Sequence, residues 1–156
     1  MKTAAVIGAM ILGAVFLCGC SQKAVAADHA GIWQADYDAA LKQAAAENKP
    51  VLVNISGTAW CSWCRTLEKE VFSKPEFIAY AKDNLICVLL DFDRSGRASN
   101  AEFAKQHEPL LEKFQVEGFP TVLIMNPQGR IIQRTGYRPG GPLAYIEMIK
   151  DVLHSK

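Results

Sequence analysis

The chain has 156 residues, half of them hydrophobic and 21% charged, and its 17 bases against 16 acids leave a formal charge of +1. That length and balance suit one globular domain with a terminal addition. A nearly neutral chain without a basic run offers no electrostatic footprint to nucleic acid, which argues against such a partner.

Met1 and Lys2 lead into an uninterrupted apolar or weakly polar run from Ala4 to Leu17. The run is shorter than the roughly 20 residues of a membrane span and suits the apolar region of an export signal. Leu17-Cys18-Gly19-Cys20 resembles the bacterial lipobox, in which a Leu three places before a Cys, and a small residue just before it, mark that Cys for lipidation and cleavage. The resemblance implies a lipoprotein-type signal over residues 1–19, a lipid on Cys20 holding the protein to the membrane, and a tether over 20–30. The competing reading is cleavage after Ala24-Val25-Ala26, which discards Cys20 and releases a soluble periplasmic or secreted protein. Both readings export the domain to the periplasmic side. Ser21 stands where an Asp commonly retains such lipoproteins at the inner membrane, so outer-membrane sorting stays open. Removal of 1–19 takes away one base, Lys2, and no acid, so +1 falls to zero.

The folded domain is expected over 31–156. Trp33, Tyr37, Ala40, Leu41, Ala44 and Ala45 recur at helical spacing, and Asn48-Lys49-Pro50 ends that helix. Val51 to Ile55 reads as a buried strand, and Ser56-Gly57-Thr58 turns the chain into Trp60-Cys61-Ser62-Trp63-Cys64. A helix then carries Leu67 and Val71, and Ser73-Lys74-Pro75-Glu76 has the form of a capping box that opens the next. Leu85 to Phe92 is a second buried strand, and Asp93 to Asn100 a loop. Ala101 to Phe114 is helical, with Phe103, Leu110, Leu111 and Phe114 inward and a kink or a helix start expected at Pro109. Thr121 to Met125 and Arg130 to Arg134 flank Asn126-Pro127-Gln128-Gly129, a type I turn pattern that predicts a hairpin. A final helix over Leu143 to Leu153 presents Leu143, Ile146, Ile149 and Leu153 on one stripe. The order predicts an α/β domain, a central mixed sheet with helices on both faces.

Of five cysteines, Cys18 falls in the signal and Cys20 at the lipidation position, leaving Cys61, Cys64 and Cys87. An odd number in an oxidising compartment argues for one special pair and one buried thiol rather than a stapled scaffold. Cys61 is placed at a helix N-terminus, where free backbone N–H groups favour a thiolate, so it is the expected nucleophile. Cys64, one turn on, is placed to attack a mixed disulfide at Cys61 and resolve it.

Trp60-Cys61-Ser62-Trp63-Cys64 after a strand, with Gly118-Phe119-Pro120-Thr121 before a hairpin, resembles thioredoxin, whose site is W-C-x-x-C and whose conserved proline is cis. The resemblance covers Trp33 to Leu153. It is strongest to exported thioredoxin-like proteins of the W-C-x-W-C type with a T-G-Y-x-P-G-G-P segment, matched by Thr135 to Pro142. It extends more distantly to the C-terminal domain of the thiol:disulfide interchange protein DsbD. It implies a thioredoxin fold, a cis Pro120 beside the disulfide, and Phe119 offering backbone groups to a substrate peptide. Trp60, Trp63, Phe119 and Tyr137 would form an apolar rim, with core packing as the rival reading of both tryptophans. Thioredoxin also carries a buried Asp that moves the resolving thiol's proton; the matching position is Asn54, with one extra residue in the loop. Asn cannot titrate, so Glu68, one turn beyond Cys64, is the candidate relay, against the plainer reading of a solvated helix face.

A structural zinc site needs about four ligands, and one C-x-x-C with Cys87 and the scattered His29, His107 and His154 does not supply them. Arg65 in place of His excludes the C-x-x-C-H of haem attachment. No metal or cofactor is called for. Two function classes remain. One is an exported, lipid-anchored thiol:disulfide oxidoreductase, leaning to reductase or isomerase, that exchanges with protein thiols and disulfides and draws electrons from a membrane donor of the DsbD type. The other is a thioredoxin-fold client-binding or chaperone module with secondary redox chemistry. Two intact cysteines favour the first, because binding alone would not need both.

Overall fold

The computed structural model describes residues 29–155. The expected signal, Cys20 and nearly all of the tether therefore lie outside the described residues. A 3-10 turn, His29–Ile32, leads into β1 (Trp33–Gln34). Then follow α1 (Tyr37–Glu47), β2 (Val51–Ser56), α2 (Ser62–Leu67), a π-helical turn over Glu68–Phe72, α3 (Pro75–Asn84) and β3 (Ile86–Asp91). The second half comprises a 3-10 turn, Ala101–Phe103, α4 (Ala104–Lys113), the hairpin β4 (Thr121–Met125) and β5 (Ile131–Thr135), and α5 (Gly141–His154). No helix among the described residues is long and apolar enough to cross a membrane.

The sheet runs β1-β3-β2-β4-β5, parallel from β1 through β3 to β2 and antiparallel from β2 through β4 to β5. β2 is buried along its whole length, so Val51, Leu52, Val53 and Ile55 follow one another with no apolar–polar alternation. The two faces separate by parity. Leu52, Cys87, Val122 and Ile124 pack under α2, α3 and α5 with Leu67, Phe72, Phe77 and Ile149. Val51, Val53, Ile55, Val88 and Leu123 pack under α1 and α4 with Tyr37, Ala40, Leu110 and Phe114. Period-two side-chain alternation makes one strand serve both cores.

Several local expectations change. Trp33 is not on a helix. It pairs with Cys87 as β1 and its ring lies 5.1 Å from that of Phe72. Asp36 starts α1 instead, its Oδ1 accepting the Ala39 N–H at 3.0 Å, a capping bond that also lowers the Asp36 pKa. An N-cap carboxylate outranks the continuing apolar period. Ala45, among the apolar residues at helical spacing, is exposed, and Phe103 and Leu111, expected inward, are half-buried.

The capping box is absent as well. Ser73 ends the preceding turn, its N–H donating to Glu68 O and its hydroxyl to Lys69 O, while Lys74 is the N-cap of α3 without a side-chain bond. The helix passes into a π turn over Glu68–Phe72, and Leu67, Val71 and Phe72 all face inward. α4 begins at Ala104 and runs through Pro109 without ending there. In α5 the inward place falls to Tyr145, buried and donating its hydroxyl to Gly136 O at 3.0 Å, while Leu143 is 64% exposed.

Candidate redox site

β2 ends at Ser56 and the chain turns at once into α2, so Cys61 becomes the N-cap of that helix. Its Sγ accepts the Cys64 backbone N–H at 3.1 Å. The helix N-terminus thereby directs an unpaired N–H at the sulfur, the arrangement that stabilises negative charge there. Cys61 and Cys64 form a disulfide with their Cα atoms 5.3 Å apart, and both are buried.

The Phe119–Pro120 bond is cis. The Phe119 carbonyl oxygen lies 3.6 Å from Cys61 Sγ, which places a backbone acceptor beside the disulfide. Gly136 makes that approach feasible from the other side, because a Cβ there would stand 2.9 Å from Pro120 O.

The four expected aromatics border the pair as two couples. Trp60 meets Phe119 edge-on at 5.4 Å between centroids, and Trp63 meets Tyr137 at 5.3 Å. Trp63 is 59% exposed, which removes the core-packing reading for that side chain. Trp60 is half-buried and anchored, its Nε1–H donating to Phe92 O at 2.8 Å. Its ring stands so close to Gly57 that a Cβ there would come within 2.5 Å. The Arg94 guanidinium covers the Trp60 ring at 5.3 Å, and the Tyr137 hydroxyl donates to Glu70 Oε2 at 2.6 Å. That bond to Glu70 raises the Tyr137 pKa.

Asn54 shares the parity of Leu52 on β2, so it projects toward the face that carries α2. A cavity of about 260 Å³ there is lined by Asn54, Ser56, Cys64 and Glu68, with Trp33 and Leu89 as apolar walls. Asn54 is 5% exposed and its Oδ1 has no hydrogen-bond partner. The expected relay residues and the inner thiol therefore meet around one space.

Cys87 stands apart from this chemistry. It is buried on β3 and remains a free thiol, and burial pushes its pKa from 9.0 up to about 12. Protonated stability of this kind is fully present below pH 9.0 and is lost as the pH climbs toward about 12. No group of His, Cys, Asp and Glu among the described residues is arranged to hold a metal ion.

Two contributors were not anticipated, Asp91 and Glu70. Asp91 closes a run of buried strand residues and accepts from Thr58. An acid ending an otherwise apolar strand was the available signal. Glu70 carried none, since its partner is 67 positions away.

The family described as thioredoxin-like matches residues 32–127. Among curated proteins, the disulfide bond reductase DsbH of Chlamydia pneumoniae is 29% identical over 121 residues, 78% of this chain and 72% of that protein. The thiol:disulfide interchange protein DsbD 2 of Pseudomonas aeruginosa is 34% identical over 121 residues, 75% of this chain but 19% of that longer protein. The solved structure of a DsbH oxidoreductase superposes with a TM-score of 0.71 at 27% identity, covering 80% of this chain and 85% of its own. The chain belongs to the thioredoxin-like family and is a thiol:disulfide oxidoreductase carrying a Cys61–Cys64 pair.

Proposed function

We propose that the protein is an exported, lipid-anchored reductase of protein disulfides, with Cys61 as nucleophile and Cys64 as resolving thiol. The observation that carries this reading is the Cys64 N–H directed at Cys61 Sγ from the start of α2, which favours the thiolate of the outer cysteine. In the reaction the Cys61 thiolate attacks one sulfur of a substrate disulfide, forming a mixed disulfide and expelling the other substrate sulfur as a thiolate. The Cys64 thiolate then attacks Cys61 Sγ, expels the second substrate sulfur and leaves the Cys61–Cys64 disulfide. Two electrons pass to the substrate. A membrane donor of the DsbD type restores the dithiol, a role suggested by the DsbD 2 similarity.

Phe119 and the Pro120 turn supply backbone for the substrate peptide, and Trp60, Trp63 and Tyr137 its apolar contacts. Glu68 takes the proton of Cys64 as that thiol becomes a nucleophile. A water held by the open Asn54 Oδ1 is the intermediary, in a space large enough for it.

The direction of exchange rests on the name of the DsbH relative, a disulfide bond reductase. Equilibrating the purified domain in thiol buffers and counting alkylated thiols by mass gives the reduction potential. A value near that of thioredoxin, roughly −270 mV, is expected; one near roughly −120 mV would make the protein an oxidant and overturn the direction.

The anchor is read from Leu17-Cys18-Gly19-Cys20. In a bacterial host the mature protein is expected to fractionate with membranes and begin at a diacylated Cys20, and Cys20→Ala to release it. A wild-type N-terminus after Ala26 would instead establish soluble export.

A further inference from the structure

The turn that delivers Cys61 is held by the end of β3. Trp60 and Cys61 both donate their backbone N–H to Gly57 O, at 3.0 and 2.8 Å, closing a tight turn between β2 and α2. Thr58 sits inside that turn, and Asp91 accepts both of its donors: the backbone N–H at 2.7 Å on Oδ1 and the hydroxyl at 2.9 Å on Oδ2.

Asp91 is itself well fixed. It lies opposite Ser56 in the β2–β3 register, and its carbonyl accepts the Ser99 N–H at 2.8 Å. The next residue, Phe92, accepts the Trp60 indole N–H. Charge-assisted hydrogen bonds are roughly twice as strong as neutral ones, and two to one residue fix direction as well as distance.

The thiol exchange consumes nothing that Asp91 offers, and its oxygens are occupied by Thr58. We infer that Asp91, acting through Thr58, is a positioning residue for the redox pair: the clamp keeps the turn closed so that Cys61 Sγ stays 3.1 Å from the Cys64 N–H. The inference rests on the reading of Cys61 as nucleophile. Its sign is diagnostic. A carboxylate acting by charge alone disfavours a nearby thiolate and raises the thiol pKa, whereas a carboxylate acting by position favours the thiolate and lowers it. The other charges around the pair are Arg65 on α2, Glu68 and Glu70 on the π turn, Arg94 on the loop after β3, Glu117 ahead of Phe119 and Arg134 on β5. None of these is altered in the variants that follow.

The test is the pH dependence of Cys61 alkylation by iodoacetamide in the reduced full-length protein, with the labelled cysteine identified by peptide mass and the thermal midpoint recorded beside it. Asp91→Ala removes clamp and charge together, while Asp91→Asn removes the charge and keeps an acceptor for the Thr58 amide. Thr58→Val removes the hydroxyl bond alone, and Thr58→Ser restores it. Asp91→Ala is expected to raise the Cys61 pKa by about one unit, read as roughly tenfold slower alkylation at a pH below both values. Thr58→Val should move it the same way by less, and Asp91→Asn and Thr58→Ser should stay close to the parent.

A lowered pKa in both Asp91 variants would reduce Asp91 to its charge and overturn the inference. So would an unchanged pKa in Asp91→Ala and Thr58→Val. Should Asp91→Ala fail to fold, the Val and Ser pair at position 58 decides alone. Alkylation of the parent protein at Cys64 ahead of Cys61 would instead overturn the nucleophile assignment, whatever the variants do.

Discussion

Replacing Cys64 by Ala is expected to abolish catalytic turnover while leaving the first thiol exchange intact, so that the protein accumulates as a stable mixed disulfide with its substrates. The expectation follows from the division of labour in the pair. Cys61 attacks, and only a sulfur within reach of Cys61 Sγ can displace the substrate again. The Cα separation of 5.3 Å supplies that reach for Cys64, and the third domain cysteine, Cys87, is buried on β3 with a pKa pushed up to about 12. No other thiol of the domain takes over. Non-reducing electrophoresis of cells expressing Cys64→Ala, with mass analysis of the adducts, reads the outcome. Adducts linked through residue 61 and lost in Cys61→Ala establish the two roles. Unchanged turnover in Cys64→Ala would overturn the assignment of Cys64 as the resolving thiol.

Glu68→Gln should slow the second step and spare the first. Positioned acids and bases commonly contribute 10²-fold or more, so release of the mixed disulfide is expected to slow by about 10²-fold near neutral pH. The change is nearly isosteric, so the cavity shared by Cys64, Asn54 and Glu68 keeps its walls. The decisive signature lies in the pH profile. If Glu68 accepts the proton, the variant should recover rate as rising pH ionises Cys64 without help, whereas a purely structural loss would persist at every pH. Single-turnover reduction of a model disulfide, followed separately for adduct formation and decay, distinguishes the steps. Slowing of adduct formation instead of decay would remove Glu68 from the relay.

The redox pair and the cis proline were legible because each is a short contiguous motif at a predictable junction, strand into helix for Cys61 and loop into hairpin for Pro120. The clamp was not. Thr58 and Asp91 are 33 positions apart, and neither stands out until the β2–β3 register sets Ser56 against Asp91. Trp33 misled for a related reason. Its spacing to Tyr37 and Ala40 imitates a helix, while pairing with Cys87 and the Asp36 cap decide the backbone. Leu143 and Tyr145 show the limit of periodicity near a helix start, where the inward direction depends on what lies underneath. For α5 that is the Gly136 carbonyl, which takes the Tyr145 hydroxyl. The setting of the proposed relay was half visible: Asn54 could be recognised as unable to titrate, but the cavity that joins it to Glu68 exists only once β2 and α2 are stacked.

The bond from the Cys64 amide to Cys61 Sγ separates two properties that are easily confounded in a two-thiol centre. On the proposed mechanism, residue 64 would tune its neighbour's acidity with its main chain and perform resolution with its side chain. A Ser or Ala at position 64 keeps the main-chain contribution, so trapping variants should retain the parent's selectivity for partners during the first encounter. Proteins captured by such variants would then report the physiological clientele of the enzyme rather than that of a weakened nucleophile.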